Sequence, residues 1–173
     1  MKRLAALACL LALAGCGLRP MYQAGSHGPV ARALSAVEVG PIAGQAGWLM
    51  HNQLVDRLGA AGHATPRYRL DVELDDKITG FGIRSDNSVT RERRALRARY
   101  HLVDTADGTV VLDATAGSDA GVDVVTSEYA VIAAEQTALE RLAGEVAEQI
   151  VARLALYAAR TPAPPAAAST AGR

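Results

Sequence analysis

The chain has 173 residues, of which 50% are apolar and only 4% aromatic, and its 18 Lys+Arg offset 18 Asp+Glu to a formal charge of zero. That length supports one core, built here from Leu, Val, Ile and Ala, and the neutral balance argues against a general nucleic-acid binder, whose phosphate contacts need a basic excess. Both cysteines, Cys9 and Cys16, lie near the N-terminus, so neither a disulfide framework nor a cysteine metal cluster is available to the rest of the chain.

Residues 1–15 read as a signal peptide: Lys2 and Arg3, an apolar run from Leu4 to Ala14, then Gly15 ahead of Cys16. The apolar run is too short to span a bilayer, which needs roughly 20 apolar residues. Leu13-Ala14-Gly15-Cys16 resembles the bacterial lipobox, which implies cleavage before Cys16 and a covalent lipid there, S-diacylglycerol on the thiol and an N-acyl chain on the new N-terminus. Several acyl chains, each buried methylene contributing about 0.8 kcal/mol, hold a protein at a membrane essentially permanently. Processing leaves 16 basic against 18 acidic residues, a slightly negative mature chain. Gly17 follows the cysteine where an inner-membrane retention signal would place Asp, so export to the outer membrane is expected.

Residues 16–33 are rich in Gly, Pro and isolated polar groups and read as a lipidated tether. Residues 34–39 alternate as a short strand stopped by Gly40-Pro41, and residues 45–58 carry Met50 or His51, Leu54, Val55 and Leu58 at helical spacing. Residues 67–83 alternate, with Tyr68, Leu70, Val72, Leu74 and Ile78 on one side and Arg69, Asp71, Glu73, Asp75 and Lys77 on the other. After the turn chemistry of residues 85–88, residues 89–103 alternate again, placing Leu96, Ala98, Tyr100 and Leu102 opposite Arg93, Arg97, Arg99 and His101. Residues 105–109 fit a hairpin loop with Gly108 left-handed, which sets Leu102 opposite Leu112 and Tyr100 opposite Ala114. The next strand is expected to bulge or bend over residues 117–121 before Val122.

A long helix over residues 127–158 carries the stripe Val131, Ala138, Leu142, Val146, Ile150, Leu154 and Tyr157, with Glu135, Glu140, Glu145 and Glu148 turned outward. The tail, residues 159–173, is Ala- and Pro-rich and is expected to be disordered. The order β-α-β-β-β-α over residues 34–158 predicts an α+β two-layer sandwich. Two helices pack on one face of a four-stranded, mostly antiparallel sheet, and the other face is polar.

Chemistry is sparse. His27, His51, His63 and His101 have no metal spacing, and the chain has no P-loop and no G-x-S-x-G elbow; Gly80-Phe81-Gly82 reads as a strand end. Asp75 and Asp76, as successive strand residues, point to opposite faces. An enzyme is not expected. The informative feature is the arginine run from Arg91 to Arg99. With the turn near Asp86-Asn87, Glu73 falls opposite Arg99, Asp75 opposite Arg97 and Thr79 opposite Arg93. Such exposed cross-strand pairs, at about 0.2–1 kcal/mol each, account structurally for Arg97 and Arg99. Arg84, Arg91, Arg93 and Arg94 face no such carboxylates and form a cationic hairpin tip. That tip is either a solvated end that resists edge aggregation or an anion site, since guanidinium forks suit phosphates.

Cys16-Gly17-Leu18-Arg19-Pro20-Met21-Tyr22 resembles the start of the lipopolysaccharide-assembly lipoprotein family LptE in its alphaproteobacterial form, and the element order and the helix opening at Ser127-Glu128-Tyr129-Ala130 are similar to that family. The resemblance implies a non-catalytic partner of the LptD outer-membrane β-barrel. Such a partner plugs and helps assemble the barrel and assists lipopolysaccharide insertion into the outer leaflet. The residues themselves add the expectation that acyl chains on Cys16 hold the chain on the periplasmic side, at the inner leaflet of the outer membrane, and that the arginine tip meets lipopolysaccharide phosphates. The alternatives are an outer-membrane lipoprotein that regulates a peptidoglycan synthase, or one that serves as an accessory subunit of an envelope transporter.

Overall fold

The computed structural model describes residues 28–62, 64–83 and 89–161. Cys16, the tether up to residue 27, His63, Arg84 with the turn at 85–88, and the tail from 162 lie outside the described residues. The elements in order are α1 (Pro29–Ser35), β1 (Val37–Val39), α2 (Gly44–Leu58) with a 3-10 turn (Gly59–Ala61), β2 (Tyr68–Ile83), β3 (Val89–Asp104), β4 (Val110–Asp123) and α3 (Glu128–Arg160). The sheet order is β1-β2-β3-β4, with β1 parallel to β2 and the others antiparallel. The fold is the α+β sandwich expected, with one more helix.

That helix corrects the tether and the first strand. Pro29 occupies the first turn, where its fixed φ is favourable and its missing N–H costs nothing, and Val30 and Leu34, one turn apart, are both buried in the core. Leu34 and Ser35 are therefore helical, the strand shrinks to Val37–Val39, and the folded unit begins near residue 28. The segment holds too few residues to display a helical period in sequence.

In α2, Met50, Leu54 and Leu58 are buried while Val55 is exposed, and Gly47 is obligatory. A Cβ there would sit 2.5 Å from the Ile42 carbonyl oxygen, against backbone that cannot swing aside. The long hairpin adopts the anticipated register: Glu73 opposite Arg99, Asp75 opposite Arg97, Thr79 opposite Arg93. The second hairpin also holds, with Tyr100 opposite Ala114, Leu102 opposite Leu112, and Gly108 at φ +74°. The expected break at residues 117–121 is absent, because β4 runs continuously from Val110 to Asp123. The irregularity lies beside the turn instead, between Leu102 and Val103. Gly117 lies under the Arg97 side chain, which a Cβ there would meet at 2.5 Å and displace.

The core lies between the sheet and the helices and includes Leu70, Leu96, Tyr100 and Leu102 from the strands and Leu142, Val146, Ile150 and Leu154 from α3. The sequence stripe covered only half of the buried arc of α3. Leu139, Ala143, Ala147 and Ala155 are also fully buried, because α3 packs against β3 and β4 on one side and α1 and α2 on another. Two of the glutamates assigned outward, Glu135 and Glu145, are half-buried, and Ser118 Oγ donates to Glu145 Oε2 at 2.5 Å. On the edge strand β4, the Gln149 amide exchanges two 3.3 Å hydrogen bonds with the N–H and C=O of Gly117, capping an edge that would otherwise template pairing.

Candidate functional site

Strand alternation places Arg91, Arg93, Arg97, Arg99 and His101 of β3 on the helix-free face, between the carboxylates of β2 and those of β4. The expected neighbours of Arg97 and Arg99 are right and their chosen partners are not. Arg97 donates to both oxygens of Asp119, at 3.1 and 2.9 Å, and Arg99 donates to Asp113 at 3.1 Å, all on β4. Asp75 instead accepts from Lys77 at 2.8 Å, two residues along its own strand. A β3 side chain has neighbours on both flanks, and the aspartates of β4 win. The Arg99 guanidinium holds the Asp113 carboxyl below its ordinary value, with His101 a lesser influence at 3.4 Å.

The tip set divides. Arg91 Nε donates to Asp123 Oδ1 at 2.9 Å, yet both side chains remain more than half exposed, so the pair is weak. Arg93 lies on the same face, opposite Thr79 and Gly121, is exposed, and makes no ion pair among the described residues. Arg94 does not belong with them. Its even position turns it toward the helices, where it forks onto Asp76 at 2.9 and 2.6 Å and donates to the Glu135 carbonyl of α3 at 2.8 Å. Its side chain is 11% exposed, and the fork to Asp76 raises its pKa further. Arg94 is a clamp between sheet and helix, overturning the expectation that it faces no carboxylate. The signal was available in Asp76, the polar residue interrupting the apolar parity between Leu74 and Ile78.

Beside this clamp, Glu92 also turns inward. Its Oε2 is buried and accepts no hydrogen bond, and the neighbouring charged group is Glu135. Burial, and then the Glu135 carboxyl, raise the Glu92 pKa above the ordinary glutamate value. A raised acid binds its proton more tightly in the folded state, so its contribution to stability is present at low pH and is lost as pH rises through the folded pKa. Glu92→Gln should therefore raise the unfolding midpoint by a few degrees at about pH 8 and by little at about pH 4, as calorimetry at the two pH values would read.

The sheet end around the tip also exposes apolar side chains: Phe81 at 45%, Val125 at 52% and Tyr129 at 88%. Phe81 lies opposite Arg91 in the ladder, and Val125 follows Asp123, the Arg91 partner. Among the described residues no group of three or more His, Cys, Asp or Glu is placed to hold a metal ion. No described helix is long and apolar enough to cross a membrane.

The described residues form a mixed sheet with helices on one face and a mosaic of paired charges on the other, the architecture of a small two-layer α+β domain. The LptE family model, described as lipopolysaccharide-assembly, matches residues 34–154, and the chain belongs to that family. It is similar to the crystal structure of a lipoprotein from Caulobacter crescentus CB15, at 30% identity and a TM-score of 0.64, over 79% of this chain and 100% of that one. A minor lipoprotein from Acinetobacter baumannii shares the fold at 15% identity and a TM-score of 0.58, over 75% of this chain and 96% of that one. Rare lipoprotein B from Shewanella oneidensis does so at 9% and 0.55, over 72% and 96%. No curated protein matches the chain.

Proposed function

We propose that this chain is an outer-membrane lipoprotein, acylated at Cys16 and held on the periplasmic side, that occupies and helps assemble an LptD-type β-barrel and assists lipopolysaccharide insertion. Membership in the lipopolysaccharide-assembly family supports the process. The observation that carries the reading of the site is the sheet end itself. There Arg93, without an ion pair among the described residues, and weakly paired Arg91 share the ladder end with exposed Phe81, which lies opposite Arg91, and the chain beyond Asp123 exposes Val125 and Tyr129. Phosphates joined to acyl chains, the chemistry of lipid A, match that combination of guanidiniums and apolar surface. Arg84, outside the described residues, remains in the proposed set by its sequence position, whereas Arg94 acts only by holding the sheet to α3. The remaining helix-free face suits a barrel lumen, which is polar, because its guanidiniums already have carboxylates on the same face.

Arg91→Ala combined with Arg93→Ala should weaken lipopolysaccharide binding by about tenfold, roughly 1.4 kcal/mol, and reduce its salt sensitivity, while the unfolding midpoint stays in place. Unchanged affinity in that double variant would remove the site. Affinity purification from detergent-solubilised envelopes should recover a tightly bound LptD-type barrel, and recovery of a peptidoglycan synthase or a transporter subunit in its place would overturn the partner.

A further inference from the structure

The end of the molecule opposite the arginines carries an apolar groove of about 420 Å3, a size typical of ligand pockets. Its walls include Leu34 of α1, Val37 of β1, Tyr68 of β2, Leu102 of β3, and Leu154 and Tyr157 of α3. Tyr68 and Tyr157 meet edge to face, with ring centroids 6.4 Å apart, an arrangement that leaves ring surface available for a further apolar partner. Arg32 and Arg67 stand at the rim, and Arg67 is engaged by Asp104 at 3.3 Å and by the Tyr68 ring.

We propose that this groove is the docking site of the chain's own segment Leu18–Tyr22, which lies outside the described residues. Three observations point to that occupant. Pro29 lines the groove, and Gly28, the first described residue, is buried, so the chain arrives at the groove itself. Tyr22 is six residues from Gly28 and Leu18 ten, giving reaches of at most ~20 and ~35 Å, enough for the segment to fold back across the opening. Leu18, Pro20, Met21 and Tyr22 are the large apolar residues between Cys16 and Pro29, joined to α1 by Gly25-Ser26-His27. The other chain end also leaves here, at Thr161, but residues 162–173 hold no Leu, Ile, Val, Met or aromatic side chain to fill an apolar cavity. Docking would give Leu18–Tyr22 a part distinct from the acylation of Cys16, and it does not depend on that acylation or on a barrel.

The test places the photoreactive residue p-benzoylphenylalanine at Met21 of the full chain and maps adducts by mass spectrometry after irradiation. Adducts within the same chain on the peptides containing Leu34, Val37 or Tyr157 are expected, both in the wild-type background and with Cys16→Ser. Ala158→Trp, which fills the groove, should cut their yield several-fold at an unchanged unfolding midpoint. Ala33→Leu is the milder filling variant with the same readout if the tryptophan destabilises the fold. Adducts confined to lipid acyl chains, to a barrel or to another copy, no adduct, or a yield indifferent to the filling variants would each overturn the proposal.

Discussion

Arg94→Ala should lower stability by roughly 1.5–3 kcal/mol, whereas Arg93→Ala, one residue away, should change it by less than about 0.5 kcal/mol. Arg94 is enclosed, forks onto Asp76 and reaches the Glu135 carbonyl, so its removal leaves a half-buried Asp76 carboxylate without its counter-ion and unties α3 from the sheet. Arg93 is exposed on the opposite face and makes no ion pair among the described residues, so its removal strips no described carboxylate of a counter-ion. Thermal unfolding of the two variants followed by circular dichroism separates them, and Arg94→Lys should fall between, keeping the charge while losing the planar fork. Equal midpoints for Arg93→Ala and Arg94→Ala would show that the clamp carries no weight. The contrast matters for function, because replacing all the tip arginines together would confuse loss of a ligand with loss of the fold.

A second large effect is expected at Leu142, fully buried on α3. Leu142→Ala should cost about 2–5 kcal/mol, a substantial part of the 5–15 kcal/mol that holds a typical domain together. The upper half of that range is favoured by composition. Neighbouring positions of the buried arc are already alanine, at 138, 143 and 147, so few flexible side chains can relax into the void. Leu156, 40% exposed on the same helix, is the control, and its replacement by alanine should cost far less. Urea unfolding midpoints with an unchanged slope would report the difference.

Much of this fold can be read from residue order. Alternation over two long strands joined by one turn leaves little freedom, which is why Glu73, Asp75 and Thr79 find Arg99, Arg97 and Arg93 as expected. Side-chain choice is less legible, because each β3 arginine can turn to either flank, and the preference for Asp113 and Asp119 depends on the second hairpin's register as well as the first. A run of arginines reads as one charged patch, which conceals the separate place of Arg94, although adjacent strand residues point to opposite faces. Helix α1 is not legible in the sequence because seven residues with one buried pair carry no visible period. The Glu92–Glu135 neighbourhood joins a strand to a helix 43 positions later, a contact that no local pattern announces.

The 16-residue strands β2 and β3 also act as a ruler. At about 3.3 Å per residue, the steps from Tyr68 to Thr79 and Phe81, the ladder partners of Arg93 and Arg91, put those arginines roughly 36–43 Å from the mouth where the polypeptide arrives, close to the 40–45 Å thickness of a bilayer with its headgroups. A protein fastened beneath one leaflet and standing upright would therefore present its guanidiniums at the depth of the opposite surface. Deleting matched pairs of residues from the two strands should shorten that reach by about 6–7 Å per pair without disturbing which face each side chain occupies.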